Sequence, residues 1–251
     1  MQNPRKLSII IVNYRSEQYL EKCIASVYNW SDPELFEIIV VNNDQSSKLG
    51  EIAQKYSEIE LYDSQKNIGF GAGCNLGARK ATGEILLFLN PDTQFSDDYV
   101  GKISDKFAKS PEKTGVIGPR LVTDEKKTQE WCTGKDTTIR SLIKSNLFWI
   151  DESRRIWESK EEITTDWVSG AALAIKKNIF EKIGGFDEKF FMYGEDMDLC
   201  RRVRETGFGV IYDPNLAILH RCGKSRESCL RQKTQFYTSS IYYLLKKRKS
   251  V

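Results

Sequence analysis

The chain reads as an α/β protein built on an open, mostly parallel sheet. Three observations lead there. Short apolar runs alternate with segments of helical period, the runs are nearly continuous in apolar character, and polar clusters follow several of them. Continuous apolar strands belong to parallel sheets covered by helices on both faces. Polar residues at strand ends fit the same architecture, because open α/β sheets bind ligands in the crevice outside those ends.

Residues 7–12 (LSIIIV) are the first such run, and residues 17–28 carry Leu20, Ile24 and Val27 at helical spacing. A second buried strand is predicted over 36–41 (FEIIVV), a helix over 48–56 and a short strand over 59–62. A helix over 72–81 and a buried strand over 84–89 complete a β-α-β alternation, the pattern of a doubly wound sheet. Residues 123–165 differ. They are polar and charged, with Trp131, Trp149 and Trp157 scattered among them and helical period only over 139–150. They predict a loop-rich insertion serving a second substrate. Regular structure resumes over 167–175, with helices over 177–183 and 196–206 and strands near 210–212 and 217–220. The tail, 235–249, joins Phe236, Tyr237, Ile241, Tyr242, Tyr243 and Leu244 to the basic run KKRK.

A chain of 251 residues is long enough for one large domain or two lobes sharing a core. A net charge of +3 is too small to indicate nucleic acid as a partner. No apolar run reaches the ~18 residues that span a bilayer, and the polar N-terminus passes directly into a strand, unlike a secretory signal. Six cysteines without a C-x-x-C pair predict reduced thiols rather than zinc ligands or a disulfide framework.

Asn13-Tyr14, Asn42-Asn43-Asp44 and Asn90-Pro91-Asp92 follow three of the strands. One aspartate at a strand end suits magnesium or manganese, which take one or two protein carboxylates and complete their shell with substrate phosphate oxygens. Asn-Pro-Asp-Thr is equally good turn chemistry. His220, the only histidine, stands at another strand end, where it is either a packed residue or a ligand better suited to manganese. The Gly223-Lys224-Ser225 that follows either brings a lysine near phosphate or is solvated surface. Glu195, Asp196 and Asp198 open a helix, where acids complement the helix dipole; Asp198 also has Arg201 and Arg202 at pairing distance. Two adjacent acids beside Phe190, Phe191 and Tyr193 need more than that. Aromatic walls and a neighbouring carboxylate raise a carboxylate's pKa toward that of a general base. Residues 67–73 (NIGFGAG) are glycine-rich and let backbone approach a nucleotide, with Gly69 in the middle; their spacing is not that of a dinucleotide fingerprint.

In order, SIIIVNY, IIVVNN, NIGFGAGCNLGARKATGEILLFLNPDT, GFDEKFFMYGEDMDLCRR and HRCGKS resemble family 2 of the inverting nucleotide-sugar glycosyltransferases, especially its bacterial rhamnosyltransferase-like members. The resemblance covers residues 7–225. It implies a GT-A fold, Rossmann-like, with a nucleotide-binding half (1–118) and a smaller acceptor-binding half (119–225), followed by an amphipathic basic tail (226–251). It implies that Asp92 is the metal-binding acid of the D-x-D motif, with Asn90 at its first position, that His220 is a further ligand, and that the cofactor is Mn2+ or Mg2+. Asn13, Asn42, Asn43 and Asn67 would line the base and ribose pocket. Asn42 stands where the family usually has aspartate, with Asp44 available to substitute. Asp196 would be the catalytic base and Glu195 its neighbour on the acceptor side; Trp167, Gly170 and Ala171 would lie against the donor sugar or acceptor.

The activity so implied is sugar transfer, with thymidine-diphosphate rhamnose the leading donor. The acceptor would be a saccharide or a lipid-linked oligosaccharide of a bacterial surface polymer. Such a chain would be cytoplasmic, with its tail either touching the inner face of the plasma membrane or packed on the domain as a terminal helix with a solvated basic end. A nucleotidyltransferase would instead carry a glycine-rich basic loop after the first strand, where this chain has Asn13-Tyr14-Arg15-Ser16. A non-catalytic sugar or nucleotide binder would differ by failing to release nucleotide from a donor.

Overall fold

The computed structural model describes residues 7–45, 49–136, 154–221 and 229–249. Its first half alternates β1 (Leu7–Asn13), α1 (Glu17–Trp30), β2 (Phe36–Asn42), α2 (Gly50–Lys55), β3 (Glu60–Asp63), α3 (Phe70–Ala78) and β4 (Ile85–Leu89). All residues of β1, β2 and β4 are buried, which is why their sequences are apolar without alternation. β1 pairs in parallel with β2 and β4, and β2 with β3. Helix α1 buries Leu20, Cys23, Ile24 and Val27, one stripe at helical spacing.

The second half holds β5 (Thr93–Gln94), α4 (Tyr99–Lys109), β6 (Thr114–Val122), β7 (Thr133–Gly134), α5 (Arg154–Trp157), β8 (Ile163–Thr164), β9 (Trp167–Val168), β10 (Ala172–Lys176), α6 (Lys177–Lys182), α7 (Glu195–Glu205), β11 (Gly209–His220) and α8 (Cys229–Lys249). The main sheet has the order β3-β2-β1-β4-β10-β6-β11-β5, with β8 paired to β11, and β7 and β9 form a separate ribbon. The parallel arrangement of the first half gives way to a mixed one. β10 runs antiparallel to both β4 and β6, and β11 is parallel to β6.

That reversal positions the site. Because β10 opposes β4, its beginning lies at the C-terminal end of β4, with Ala172 opposite Leu89. Because β6 and β11 then run with β4, the last residue of β11, His220, reaches the same rim, where it pairs with Thr93 of β5. The two strands expected near 210–212 and 217–220 are one strand, interrupted by a register shift between Asp213 and Ala217.

Helices α4 and α8 frame the body. Asp98 caps α4 by accepting from the Gly101 amide at 2.9 Å, and Tyr99, Val100, Ile103 and Phe107 form its buried stripe. In α8, the Tyr242 hydroxyl donates to Asp187 at 2.9 Å and the Ser239 hydroxyl to the Met192 carbonyl at 2.8 Å. The Tyr243 hydroxyl donates to Asp136. Lys246 donates to Asp187 at 2.7 Å and reaches Asp198 at 2.8 Å. Cys23, Cys74, Cys132 and Cys200 are buried free thiols.

Candidate active site

The ends of β1 and β2 are joined by amides. Asn13 Nδ2 donates to Asn42 Oδ1 at 3.1 Å, and Asn42 Nδ2 donates to Asp63 Oδ1 at 2.8 Å. Asn13 also accepts from the Ser16 hydroxyl and is fully buried. These two asparagines therefore brace the strand ends, with Asn13 buried against Asn42. Asn43 is different. Its Nδ2 donates to the Gly69 carbonyl at 2.9 Å, while its buried Oδ1 has no donor. Asp44 lies 3.8 Å from the Arg15 guanidinium.

The glycine-rich segment packs closely on the 185–194 loop. Asn67 Oδ1 accepts from the Gly69 amide at 3.0 Å, and the Phe70 amide donates to the Phe191 carbonyl at 3.1 Å. Gly69 has φ +88°, and a Cβ there would lie 2.5 Å from the Phe191 oxygen. Only glycine meets both conditions.

At the end of β4, Asp92 Oδ1 lies 3.3 Å from His220 Nε2, and Asn90 Nδ2 lies 3.4 Å from the same ring nitrogen. The Arg221 amide donates to the Asp92 carbonyl at 3.0 Å, closing the turn onto β11. On the far side of the ring, His220 Nδ1 faces Gln129 Oε1 at 2.7 Å. Asp92 and His220 are one carboxylate and one imidazole on adjacent chain segments. Among the described residues, no group of three or more His, Cys, Asp or Glu side chains gathers as a metal cage. A pair of protein ligands completed by a diphosphate is the arrangement that magnesium and manganese commonly take.

The chain turns sharply before α7, with Tyr193 at φ 71°. Asp196 then takes two backbone donors: the Gly170 amide to Oδ2 at 2.9 Å and the Met197 amide to Oδ1 at 2.8 Å. Burial raises its pKa, against the lowering effect of those amides. Glu195 turns inward. Burial, and secondarily the charge of Asp196, push its carboxyl up to about 8, and its Oε2 has no partner. It lies buried beside Asp196. Asp198 is fully buried and bound by Arg201 at 3.0 Å and Arg202 at 2.7 Å.

Backbone contacts connect the two clusters. The Asn90 amide donates to the Ala171 carbonyl at 2.9 Å, one residue from the Gly170 amide that holds Asp196. Gly170 and Ala171 thus touch both sides of the site. Trp167 does not. It is 8% exposed, and its indole N–H donates to the Lys135 carbonyl at 3.0 Å. The ring holds β9 against the end of β7. Gln129 was not foreseen, since a glutamine in a polar stretch carries no periodicity or motif. Gly223-Lys224-Ser225, Trp149 and the segment 139–150 lie outside the described residues.

Residues 8–184 match the family described as glycosyl transferase family 2. Residues 155–222, which include Asp196 and His220, match one described as the N-terminal domain of galactosyltransferase. Rhamnosyltransferase WbbL of Escherichia coli strain K12 is 29% identical over 254 residues, covering 96% of this chain and 93% of the relative. The N-acetylglucosaminyl-diphospho-decaprenol L-rhamnosyltransferase of Mycobacterium tuberculosis is 24% identical over 235 residues, covering 85% and 75%. Among solved structures, the mannosyltransferase PcManGT from Pyrobaculum calidifontis, in complex with GDP-Man and Mn2+, superposes with a TM-score of 0.66 at 17% identity. That likeness covers 96% of this chain and 65% of the longer solved chain, and it is a likeness of fold, the GT-A architecture.

Proposed function

The chain belongs to glycosyl transferase family 2, and from that membership we propose that it transfers a sugar, with inversion, from a nucleoside diphosphate donor to a saccharide or lipid-linked oligosaccharide acceptor of a bacterial surface polymer. L-Rhamnose on thymidine diphosphate is the leading donor, because two relatives matched over most of their length are named as rhamnosyltransferases. The observation that carries the reading is the short backbone path from Asp196 through Gly170-Ala171 to Asn90, beside the Asp92–His220 pair.

Each residue has a role that its surroundings support. Asn43 Oδ1, a buried acceptor without a donor, is satisfied by the imide N–H of a pyrimidine base. Asp92 and His220 fit a divalent cation: the carboxylate and the Nε2 edge of the ring face each other with Nδ1 already engaged. Bound there, Mn2+ or Mg2+ supplies Lewis-acid neutralisation of the charge that develops on the departing diphosphate. Asp196 accepts the proton of the acceptor hydroxyl. The oxygen then bonds to the anomeric carbon from the face opposite the diphosphate, and the bond to the diphosphate breaks with its electron pair leaving on that group. Burial raises both carboxyls, and the two amide donors on Asp196 oppose that rise there and favour its ionised form.

The acceptor reading includes a membrane. Among the described residues, no helix is long and apolar enough to cross one. On α8, however, Tyr237, Ile241 and Leu245 stand exposed at i, i+4 and i+8, with Phe236 beside them. From Cys229 to Lys249 the sequence has six Lys or Arg and no Asp or Glu. An apolar stripe on a helix rich in cations suits the surface of an anionic bilayer.

A panel of nucleotide sugars, incubated with Mn2+ and followed by nucleoside diphosphate release, tests the activity. Release from the thymidine-diphosphate rhamnose arm is the expected result. Absence of release or transfer across the panel, with lipid-linked acceptors supplied, would overturn it.

A further inference from the structure

We infer that Gln129 is a positioning residue that fixes the proton of His220 on Nδ1 and so leaves Nε2 free to bind a cation. The inference rests on the cation reading above. The amide oxygen of Gln129 has no proton to give, so its 2.7 Å contact with Nδ1 is a hydrogen bond only if the ring nitrogen donates. On the opposite edge the neighbours are of the complementary kind. Asn90 offers an N–H to Nε2 from 3.4 Å, and the Asp92 carboxylate oxygen lies 3.3 Å away. A neutral ring with its proton on Nε2 would spend that edge on Asp92 and present no lone pair. A ring with its proton on Nδ1 turns a lone pair toward a carboxylate, which is the electrostatic setting for a cation between them.

The fold holds Gln129 for this contact. Residues 123–127 make a tight turn in which the Lys126 amide donates to the Thr123 carbonyl and the Thr123 amide to the Lys127 carbonyl, at 2.8 and 2.9 Å. The chain then returns along β6, with Thr128 bridged to Val122 and the Gln129 amide donating to the Leu121 carbonyl at 2.8 Å. Leu121 pairs with Ile218 of β11, two residues before His220. Gln129 is therefore anchored by backbone to the strand beside the one that carries the imidazole. Three residues on, the Cys132 carbonyl accepts from the Ser169 amide at 2.9 Å, next to the Gly170 that holds Asp196. One short segment thus spans from the imidazole to the general base. Partners that orient a ligating histidine through its other ring nitrogen commonly change metal affinity 10- to 100-fold when removed.

The chain's single histidine makes the test direct. With 15N-labelled histidine in the full chain, long-range proton–nitrogen correlation reads which ring nitrogen is protonated, at a pH about two units above the ordinary imidazole value and without metal. The parent should show Nδ1 protonated and Nε2 bare. Gln129→Glu keeps an acceptor oxygen and should keep that tautomer. Gln129→Leu should move the proton to Nε2 and weaken Mn2+ binding, measured by electron paramagnetic resonance with a nucleoside diphosphate present, by about 10- to 100-fold. An Nε2-protonated ring in the parent overturns the inference without any variant. So does a folded Gln129→Leu chain with unchanged tautomer and unchanged Mn2+ affinity. Neither readout involves a sugar donor, so failure here is distinguishable from failure of the transfer reading.

Discussion

Asp196 Oδ2 accepts a hydrogen bond from the backbone amide of Gly170 at 2.9 Å. The contact ties the first turn of α7 to the turn that precedes β10. A Cβ on Gly170 would stand 3.1 Å from the Phe70 ring, a tight approach, and 3.5 Å from Asp196 Cβ, an ordinary contact. The next residue, Ala171, accepts from the Asn90 amide at 2.9 Å. The acid proposed as base and the strand end bearing the proposed cation ligands are therefore held through two consecutive residues, Gly170 and Ala171, of the turn between β9 and β10. Positioning therefore falls to a short turn anchored on both sides by strands of the fold.

The first prediction concerns Glu195. Its folded pKa is raised from the ordinary 4.5 to about 8 by burial and by Asp196. A group raised on folding contributes stability that is fully present below its unfolded value and is lost as pH rises through its folded value. The parent should therefore lose stability between pH 4.5 and about 8 relative to Glu195→Gln, which cannot ionise. Urea denaturation of both chains across that window measures the difference. A gap that stays constant with pH would show that Glu195 titrates normally.

The second prediction concerns Asp198, which no chemistry requires. It is 0% exposed and gathers Arg201, Arg202 and Lys246 within 3.0 Å. Removing one partner of a buried ion pair leaves the remaining charges uncompensated, at a cost of about 3–5 kcal/mol. Asp198→Ala should lower stability by that amount and loosen α8, whose Lys246 it holds. Denaturant unfolding gives the energy, and protease susceptibility of the 229–249 segment reports the loosening. A loss under ~1 kcal/mol would contradict the structural role.

The third prediction concerns the exposed face of α8. Tyr237, Ile241 and Leu245 are 62%, 60% and 54% exposed. The chain should sediment with vesicles containing anionic lipid, less so as salt rises, and weakly with neutral vesicles. Changing all three residues to serine should abolish sedimentation without lowering the thermal midpoint, because α8 docks through other residues. Equal sedimentation of parent and variant, or none by the parent, would remove the membrane from the account.

Much of the architecture is legible in the sequence because burial on both faces leaves no alternative to continuous apolar strands, as in β1, β2 and β4. The reversal at β10 is not legible: Ala172–Lys176 has the same apolar character in either direction, and only pairing with β4 and β6 sets its sense. Helix α4 and strand β6 carry no motif and were not assigned, although Tyr99, Val100, Ile103 and Phe107 have helical spacing. At the site, residue types at strand ends point to Asp92 and His220, and paired acids at a helix start point to Asp196. Which neighbours face the cleft depended on contacts far apart in sequence. Asn13 and Glu195 turned inward for that reason, Trp167 spent its indole N–H on Lys135, and Gln129 reached His220 across 91 positions.

The central claim is that Asp196 takes the acceptor's proton, and Asp196→Asn tests it most directly. This change keeps the side chain's shape and removes its capacity as a base. With Mn2+ present, nucleoside diphosphate binding measured by calorimetry should match the parent, while sugar transfer falls by roughly 10²–10⁴-fold, the usual contribution of a positioned base. Turnover close to the parent's, in a variant that binds nucleotide normally, would contradict the account.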